Sequence, residues 1–348
     1  MDARADLPDA NVSDTDTRGR DATNPSEIPI RGWWDITWRV FKRLGSDNIT
    51  LVSGGVAMYL LLSVFPGLTA LVSFYGVFAT TADVSEHLKE FSPILPPGTW
   101  DIFNTQLQAL VQHNQSSLSL AGILSLLLAL WSARSAMSAL MTATNIAYGE
   151  HEKRSFIKVT VTSLTFTVCA IFGFLTMLVL GLGIPIALKL LGTADVLKNV
   201  ATVLRLLLLW AVTIAGLSML YRYAPARVRP RWHWVTWGSV MAGSLWLGAS
   251  ALFAFYVQRF GSYDKTYGAV GGVVVLLMWF YISSLIIVLG AEINAEMERQ
   301  TRRDTTIRGN APLGKRGAYA ADTVGPTAQE PSSAVVPPGS GESALRKS

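Results

Sequence analysis

The chain has 348 residues, of which 50% are hydrophobic and 15% are charged, and its mean hydropathy is positive. This composition excludes an ordinary soluble domain, in which about 25% of the residues are charged. The formal net charge of +5 does not indicate nucleic acid as a partner, because the basic residues lie in short stretches between apolar runs. Several of these runs reach the ~20 residues that a helix needs to cross a bilayer. The sequence therefore predicts an all-α, polytopic membrane protein.

The two ends of the chain differ in composition from its middle. Residues 1–30 and 299–348 are poor in large apolar side chains, so we expect two disordered cytoplasmic tails that flank a membrane domain over 31–298. Residues 1–30 also lack the apolar stretch of a cleavable signal peptide. The first membrane helix must then direct insertion.

Residues 31–47 have the spacing of an amphipathic helix. One face carries the aromatic residues Trp34, Trp38 and Phe41. Another face carries the basic residues Arg39, Lys42 and Arg43. We expect this helix to lie in the membrane interface, with the aromatic rings at headgroup depth and the cations toward anionic lipid. The alternative is an amphipathic helix packed on the bundle.

Six apolar segments follow, and each is long enough to form a membrane-spanning helix. They lie at about 49–80, 118–148, 159–191, 200–223, 235–257 and 267–291. Pro66 and Pro185 are expected to kink the first and third of them. The prediction is a six-transmembrane-helix bundle.

Lys and Arg residues predict the orientation of this bundle. Fifteen flank one set of helix ends and five flank the other, so the positive-inside rule places both termini in the cytoplasm. The long loop over 81–117 is then on the outer side. Helical spacing at 84–91 and 100–112 predicts two short helices there.

Polar residues inside the apolar segments are the candidate substrate path, because charge within a membrane is costly. Arg134 and Glu292 lie at similar depths, which suggests an ion pair; the alternative is that Arg134 reaches the headgroups and Glu292 is solvated. The further candidates are Asn145, Asn294, Tyr59 and Ser63. These side chains either hydrogen-bond between helices or line a hydrated cavity for a polar or anionic headgroup.

A polar motif lies on the predicted outer side, between the fifth and sixth segments. It consists of Gly261, Ser262, Tyr263, Asp264, Lys265, Tyr267 and Gly268. The structural interpretation is a rigid hairpin with interfacial tyrosines. The functional one is an outer gate or a headgroup contact.

Five stretches resemble the YihY/BrkB family in sequence, order and spacing. They are GGVAMYLLLSVFP at 54–66, LWSARSAMSALMTATNIAYG at 130–149, YRYAPARVRPRW at 221–232, RFGSYDKTYGAVGG at 259–272 and LGAEINAEMER at 289–299. The resemblance covers about 33–299 and implies a bacterial cytoplasmic-membrane protein with a six-helix core. Members have been linked to envelope integrity, serum resistance and export of lipids or small molecules. A ribonuclease label was once attached to the family.

The leading functional hypothesis is a transporter or flippase-like protein for a lipid-linked or amphiphilic envelope substrate. The alternative is a non-transporting scaffold for envelope integrity. We expect no enzymatic activity, catalytic residue, metal or cofactor: the four histidines are scattered, Cys169 is the single cysteine, and no Walker motif is present. This argument rejects ribonuclease activity. The expected partners are membrane lipids and the amphiphilic substrate, without nucleic acid; a homo-oligomer is left open.

Overall fold

The computed structural model describes residues 17–75, 120–180, 195–260 and 269–329. Within these ranges the chain is helical, apart from an isolated antiparallel bridge between Pro230 and Thr306. The helices are α1 (Ile30–Ser46), α2 (Ile49–Tyr75), α3 (Leu120–Tyr148), α4 (Phe156–Leu178), α5 (Asp195–Tyr223), α6 (Trp232–Phe260), α7 (Ala269–Glu298) and α8 (Tyr319–Asp322), preceded by a 3₁₀ turn at Pro25–Glu27.

Helices α2 to α7 each coincide with one of the six predicted apolar segments. In the described part of the chain, α4 to α7 are long and apolar enough to cross a membrane, and α1 with α2 forms a fifth candidate that bends by 65°. The all-α membrane architecture is thus confirmed with four or five candidate spans, and the count of six stays a prediction. Helix α2 continues through Pro66. Pro185, the segments 84–91 and 100–112 and the motif at 261–268 lie outside the described residues.

Helix α7 lies at the centre of the bundle, where it packs against α1, α2, α3 and α6. Small residues allow these close approaches. Ala291 and Ala295 are fully buried, and a Cβ atom on Gly290 would collide with the Tyr221 hydroxyl. That hydroxyl donates a hydrogen bond to the carbonyl of Ile287 at 2.8 Å, which joins α5 to α7.

Helices α4 and α5 present long apolar faces to the outside of the bundle. Phe172 is 65% exposed and Val203 is 58% exposed, with many similar neighbours along both helices. Soluble proteins rarely expose apolar side chains along the whole length of two neighbouring helices. It is suited to contact with lipid.

The described basic loops all meet at one end of the bundle, here called the basic end. Arg154, after α3, donates to the carbonyl of Ala224 after α5 at 2.8 Å. Arg227, in the loop before α6, pairs with Glu298 at the end of α7 at 2.7 Å. The described connections after α3 and after α5 are thus both basic and lie at the same end, whereas the connections over 76–119, 181–194 and 261–268 are outside the described residues.

Two chain segments fold over the basic end; together, residues 17–29 and 299–329 are called the cap. Arg316 is 4% exposed and donates to the carbonyls of Arg302, Arg303, Ala311 and Ala321. The prediction of disordered tails is therefore wrong for these residues. Hydrogen bonds from arginine side chains to backbone carbonyls order these residues. A segment with few large apolar side chains can still form such hydrogen bonds. Residues 1–16 and 330–348 lie outside the described ranges.

Candidate functional site

Helix α1 is turned differently from the prediction. Trp34 and Phe41 are exposed, at 69% and 70%, whereas Arg39 is buried and the side chain of Arg43 is 16% exposed. The expectation that Arg39 and Arg43 face anionic lipid is wrong, because acidic residues of α7 attract both. Lys42 is exposed, as expected, and its ammonium lies over the Trp38 ring. Whether α1 lies in the membrane interface stays a prediction.

A buried cluster of charges forms where α1 meets the end of α7. This charge cluster consists of Arg39, Arg43, Asp47, Glu292, Glu296 and Arg299. Glu296 is the best-satisfied member: it accepts from Nε of Arg39, from Nη1 of Arg43 at 3.2 Å and from Nη1 of Arg299 at 2.6 Å. A fully buried carboxylate needs such partners to remain ionised.

Glu292, one helical turn before Glu296, has a different environment. Its side chain is fully buried, yet neither carboxylate oxygen accepts a hydrogen bond. Its nearest described cation is Arg43, whose Nη1 lies 3.6 Å from Oε2. Arg43 also forms an ion pair with Asp47 at 3.0 Å, so it is shared among three carboxylates. Glu292 is therefore the buried carboxylate that the described fold leaves without a hydrogen-bond donor.

A second buried ion pair lies beside the charge cluster. Arg227 and Glu298 are joined by two hydrogen bonds, and the Arg227 guanidinium stacks 4.0 Å from the centroid of the Tyr148 ring. Burial opposes the charge of Arg227, but the ion pair with Glu298 outweighs it and raises the pKa of Arg227.

The expected pair of Arg134 and Glu292 does not form. Arg134 is on the α4 side of α3, where its Nε donates to Ser163 Oγ at 3.3 Å and its guanidinium lies 4.5 Å from the Trp131 ring centroid. Glu292 faces α1 instead. Sequence depth alone did not reveal which faces of the two helices carry them.

The two asparagines join separate parts of the basic end. Asn145 donates to Glu152 at 3.1 Å and accepts from the backbone of Ala226 at 2.8 Å. Asn294 accepts from the N–H of Gly238 at 3.0 Å and donates to the carbonyl of Val235 at 3.2 Å. Both side chains thus use their hydrogen-bonding groups within the protein.

The remaining candidates do not gather with these residues. Tyr59 is 49% exposed on α2, and Ser63 donates to the carbonyl of Leu60 in its own helix. The described candidates therefore do not converge on one cavity. Their part in a substrate path stays a prediction.

Sequence reasoning missed Arg39, Glu296, Arg227 and Glu298 as site residues. A signal was available, because Glu292, Glu296 and Glu298 all lie within the end of a highly apolar helix. Three carboxylates in that position require cations from elsewhere in the chain. In the described residues no group of three or more His, Cys, Asp or Glu side chains is arranged to hold a metal ion.

Comparison with known proteins identifies the family. Over 255 residues the chain is 34% identical to "Putative ribonuclease-like protein YfkH" of Bacillus subtilis, covering 72% of this chain and 90% of the relative. It is 26% identical to "UPF0761 membrane protein" of Tolumonas auensis, covering 78% and 88% of the two chains. It is 28% identical to "UPF0761 membrane protein YihY" of Salmonella arizonae, covering 77% and 89%.

No solved structure matches the chain at a significant level. The family model described as "Virulence factor BrkB" matches residues 40–313. This match extends beyond the predicted domain boundary at 298 into the cap. The family resemblance seen in the motifs is confirmed, and this chain belongs to the Virulence factor BrkB family, whose UPF0761 relatives are membrane proteins.

Proposed function

We propose that this chain is a transporter or flippase-like protein that moves a lipid-linked or amphiphilic envelope substrate. It spans the bacterial cytoplasmic membrane six times, with the basic end and both termini in the cytoplasm. The family membership and the lipid-suited faces of α4 and α5 support the membrane placement. The single observation that supports transport is the environment of Glu292.

An ionisable group buried in a membrane helix is costly, and a buried polar group without a partner requires an explanation. The fold supplies donors to the other buried carboxylates in its described part: Asp35 accepts from Arg18, Glu296 from three arginines and Glu298 from Arg227. Glu292 alone among them has both oxygens free of hydrogen bonds. It is thus available to a proton, an ion or a polar substrate group that enters between α1 and α7.

The energy source is not ATP bound by this chain, since the sequence has no Walker motif. A secondary or passive mechanism, or a partner protein, must drive the movement. The proposed function does not include the ribonuclease activity that the name of YfkH suggests for that relative. His151 lies in the loop after α3 and His233 in the first turn of α6, and His87 and His113 are outside the described residues.

The test is a transport assay in liposomes that contain a fluorescent phospholipid as the probe, with dithionite quenching as the readout of transbilayer movement. We expect the wild-type protein to move the probe and Glu292→Gln to slow this movement at least ten-fold. Asp21→Asn is the matched control, because its carboxylate is 54% exposed and lies 3.8 Å from its nearest cation. Equal rates for wild type and Glu292→Gln, or no movement by the wild type, would refute the proposal.

A non-transporting envelope scaffold is the second candidate, and the cap favours it. The cap exposes the basic side chains of Arg302, Arg303, Arg308 and Lys315. Such a surface is suited to anionic lipid or an acidic partner. A scaffold would lose its cellular function when these four residues are replaced by alanine, whereas Glu292→Gln would leave that function intact.

A further inference from the structure

Arg134 occupies a built site on the outer surface of the bundle, between α3 and α4. The residue is 9% exposed, and its Nε donates to Ser163 Oγ at 3.3 Å. Two aromatic rings cover the guanidinium, with ring centroids 4.5 Å away at Trp131 and 5.9 Å away at Phe156. The side chain is therefore held in one place by contacts from both helices.

The charge of Arg134 has no counterpart in the described protein. Among the described residues no carboxylate pairs with it, and its Nη1 and Nη2 atoms donate no hydrogen bond. A guanidinium carries five N–H donors, of which only the one on Nε is used here. Burying a cation without an anion is costly, so the site as the described residues form it is suited to an anionic ligand. The Nη1 and Nη2 atoms of Arg134 are not fully buried, so a ligand can reach them from outside the bundle.

The surroundings indicate which kind of anion reaches this site. Trp131 is 52% exposed and Phe156 is 71% exposed, so the two rings that contact Arg134 present apolar surface to the outside of the bundle, and Ile157 next to Phe156 is 74% exposed. Phe156 is the first residue of α4, which begins at the basic end. A tryptophan and an arginine at this level are typical of the headgroup zone of a bilayer.

We propose that Arg134 binds the phosphate of an anionic phospholipid from the leaflet at the basic end. The Nη1 and Nη2 groups donate to two phosphate oxygens, as arginine forks commonly do. The acyl chains lie along Trp131, Phe156 and Ile157. Lys158, exposed one turn into α4, adds positive charge nearby. This inference rests on the proposed function for the placement of the chain in the membrane. The anionic phospholipid at this site is either a transported substrate or a lipid that stays bound.

The test is lipid binding by native mass spectrometry of the purified full-length protein, titrated with phosphatidylglycerol or with phosphatidylcholine. We expect the wild type to bind phosphatidylglycerol in preference, and Arg134→Ala to weaken that binding at least ten-fold. Arg134→Gln keeps a polar side chain that can donate hydrogen bonds but removes the charge, and it should lose the preference while remaining folded. Arg31→Ala is the matched control, because that arginine is exposed on α1 and belongs neither to this site nor to the cap.

The outcomes separate this inference from transport. Equal phosphatidylglycerol binding by wild type and both folded Arg134 variants would overturn it, whatever the transport assay shows. Displacement of phosphatidylglycerol by millimolar inorganic phosphate, with no lipid preference, would overturn the lipid assignment. Retained binding without any transbilayer movement would refute the proposed function and leave the Arg134 site in place.

Discussion

At the scale of single residues, Glu296 is the centre of the charge cluster because three arginines donate to it. Replacing it by alanine leaves Arg39, which is 3% exposed, without its carboxylate. Breaking a buried ion pair in this way costs about 3–5 kcal/mol. We expect Glu296→Ala to lower the Tm of the detergent-solubilised protein by many degrees, as measured by thermal unfolding.

An exposed ion pair provides the comparison for Glu296. Arg303 and Asp21 are 3.8 Å apart, with side chains 63% and 54% exposed. Exposed pairs of this kind contribute about 0–1 kcal/mol. Arg303→Ala should therefore leave the Tm nearly unchanged. Similar Tm values for Glu296→Ala and Arg303→Ala would contradict the importance of the charge cluster.

The stability that Glu152 contributes to the loop after α3 depends on pH. Hydrogen bonds from the side chain of Arg154 are the main reason that the pKa of Glu152 falls from 4.5 to about 2, while partial burial opposes the change. Because the folded pKa is lowered, the carboxylate stabilises the fold above pH 4.5 and loses this effect as the pH falls toward 2.

The variant Glu152→Gln tests this dependence. Its Tm should lie below that of the wild type at pH 7, and the difference should shrink as the pH is lowered from 5 to 3. Thermal unfolding at pH 7, 5 and 3 measures it, with Asp21→Asn as an exposed control whose difference from wild type stays small. A Glu152→Gln difference that is equal at pH 7 and pH 3 would contradict the assignment.

At the scale of helices, Asn294 fixes α7 against the start of α6 through Gly238. A Cβ atom at residue 238 would overlap the Asn294 side chain. Gly238→Ala should therefore displace Asn294 and destabilise the protein by about 1–3 kcal/mol, the usual cost of overpacking. Measurement of Tm checks the change.

Gly248, on the same helix α6, is the matched control. A Cβ atom there meets no atom within 4 Å. Alanine is favoured over glycine in a helix by about 1 kcal/mol, so Gly248→Ala should keep or raise the Tm. A loss of stability equal in both variants would show that helix α6 is sensitive to alanine in general, and that the contact with Asn294 is not the cause.

The helices could be predicted from sequence because each apolar segment is bounded by polar or basic residues, and α2 to α7 match those segments. The rotation of each helix about its own axis could not be predicted from sequence. Arg134 and Glu292 lie at similar depths but on faces directed toward α4 and α1, respectively. A nearly uniform apolar surface gives weak periodicity, so the partners of its polar residues depend on packing that only the structure shows.

At the scale of the whole molecule, the cap holds together through arginine donors and backbone acceptors. Arg316 donates to four carbonyls, and its removal leaves these acceptors without their partner. We expect Arg316→Ala to open residues 299–329 and to speed their cleavage by trypsin at least ten-fold, while the membrane helices stay intact. Lys315→Ala, an adjacent exposed residue, should cleave at the wild-type rate. Equal rates for both variants would contradict this role of Arg316.

The cap also restricts the number of membrane crossings. Its N-terminal and C-terminal parts contact each other directly, since the N–H of Arg302 donates to the carbonyl of Arg20 at 2.7 Å. Both parts therefore lie on one side of the membrane, and the chain between them crosses an even number of times. An even number is compatible with the four candidate spans α4 to α7 and with the six spans predicted from the sequence, and the count of six stays a prediction.

Cysteine labelling tests this topology. In a Cys169→Ala background, the single cysteines Asp101→Cys and Arg308→Cys should respond oppositely to a membrane-impermeant maleimide applied to spheroplasts. Asp101→Cys should be labelled at once, and Arg308→Cys only after the membrane is permeabilised, because basic ends remain in the cytoplasm. Immediate labelling of Arg308→Cys would place the cap outside and reverse the orientation. Labelling of both residues from the same side would contradict the six-span arrangement.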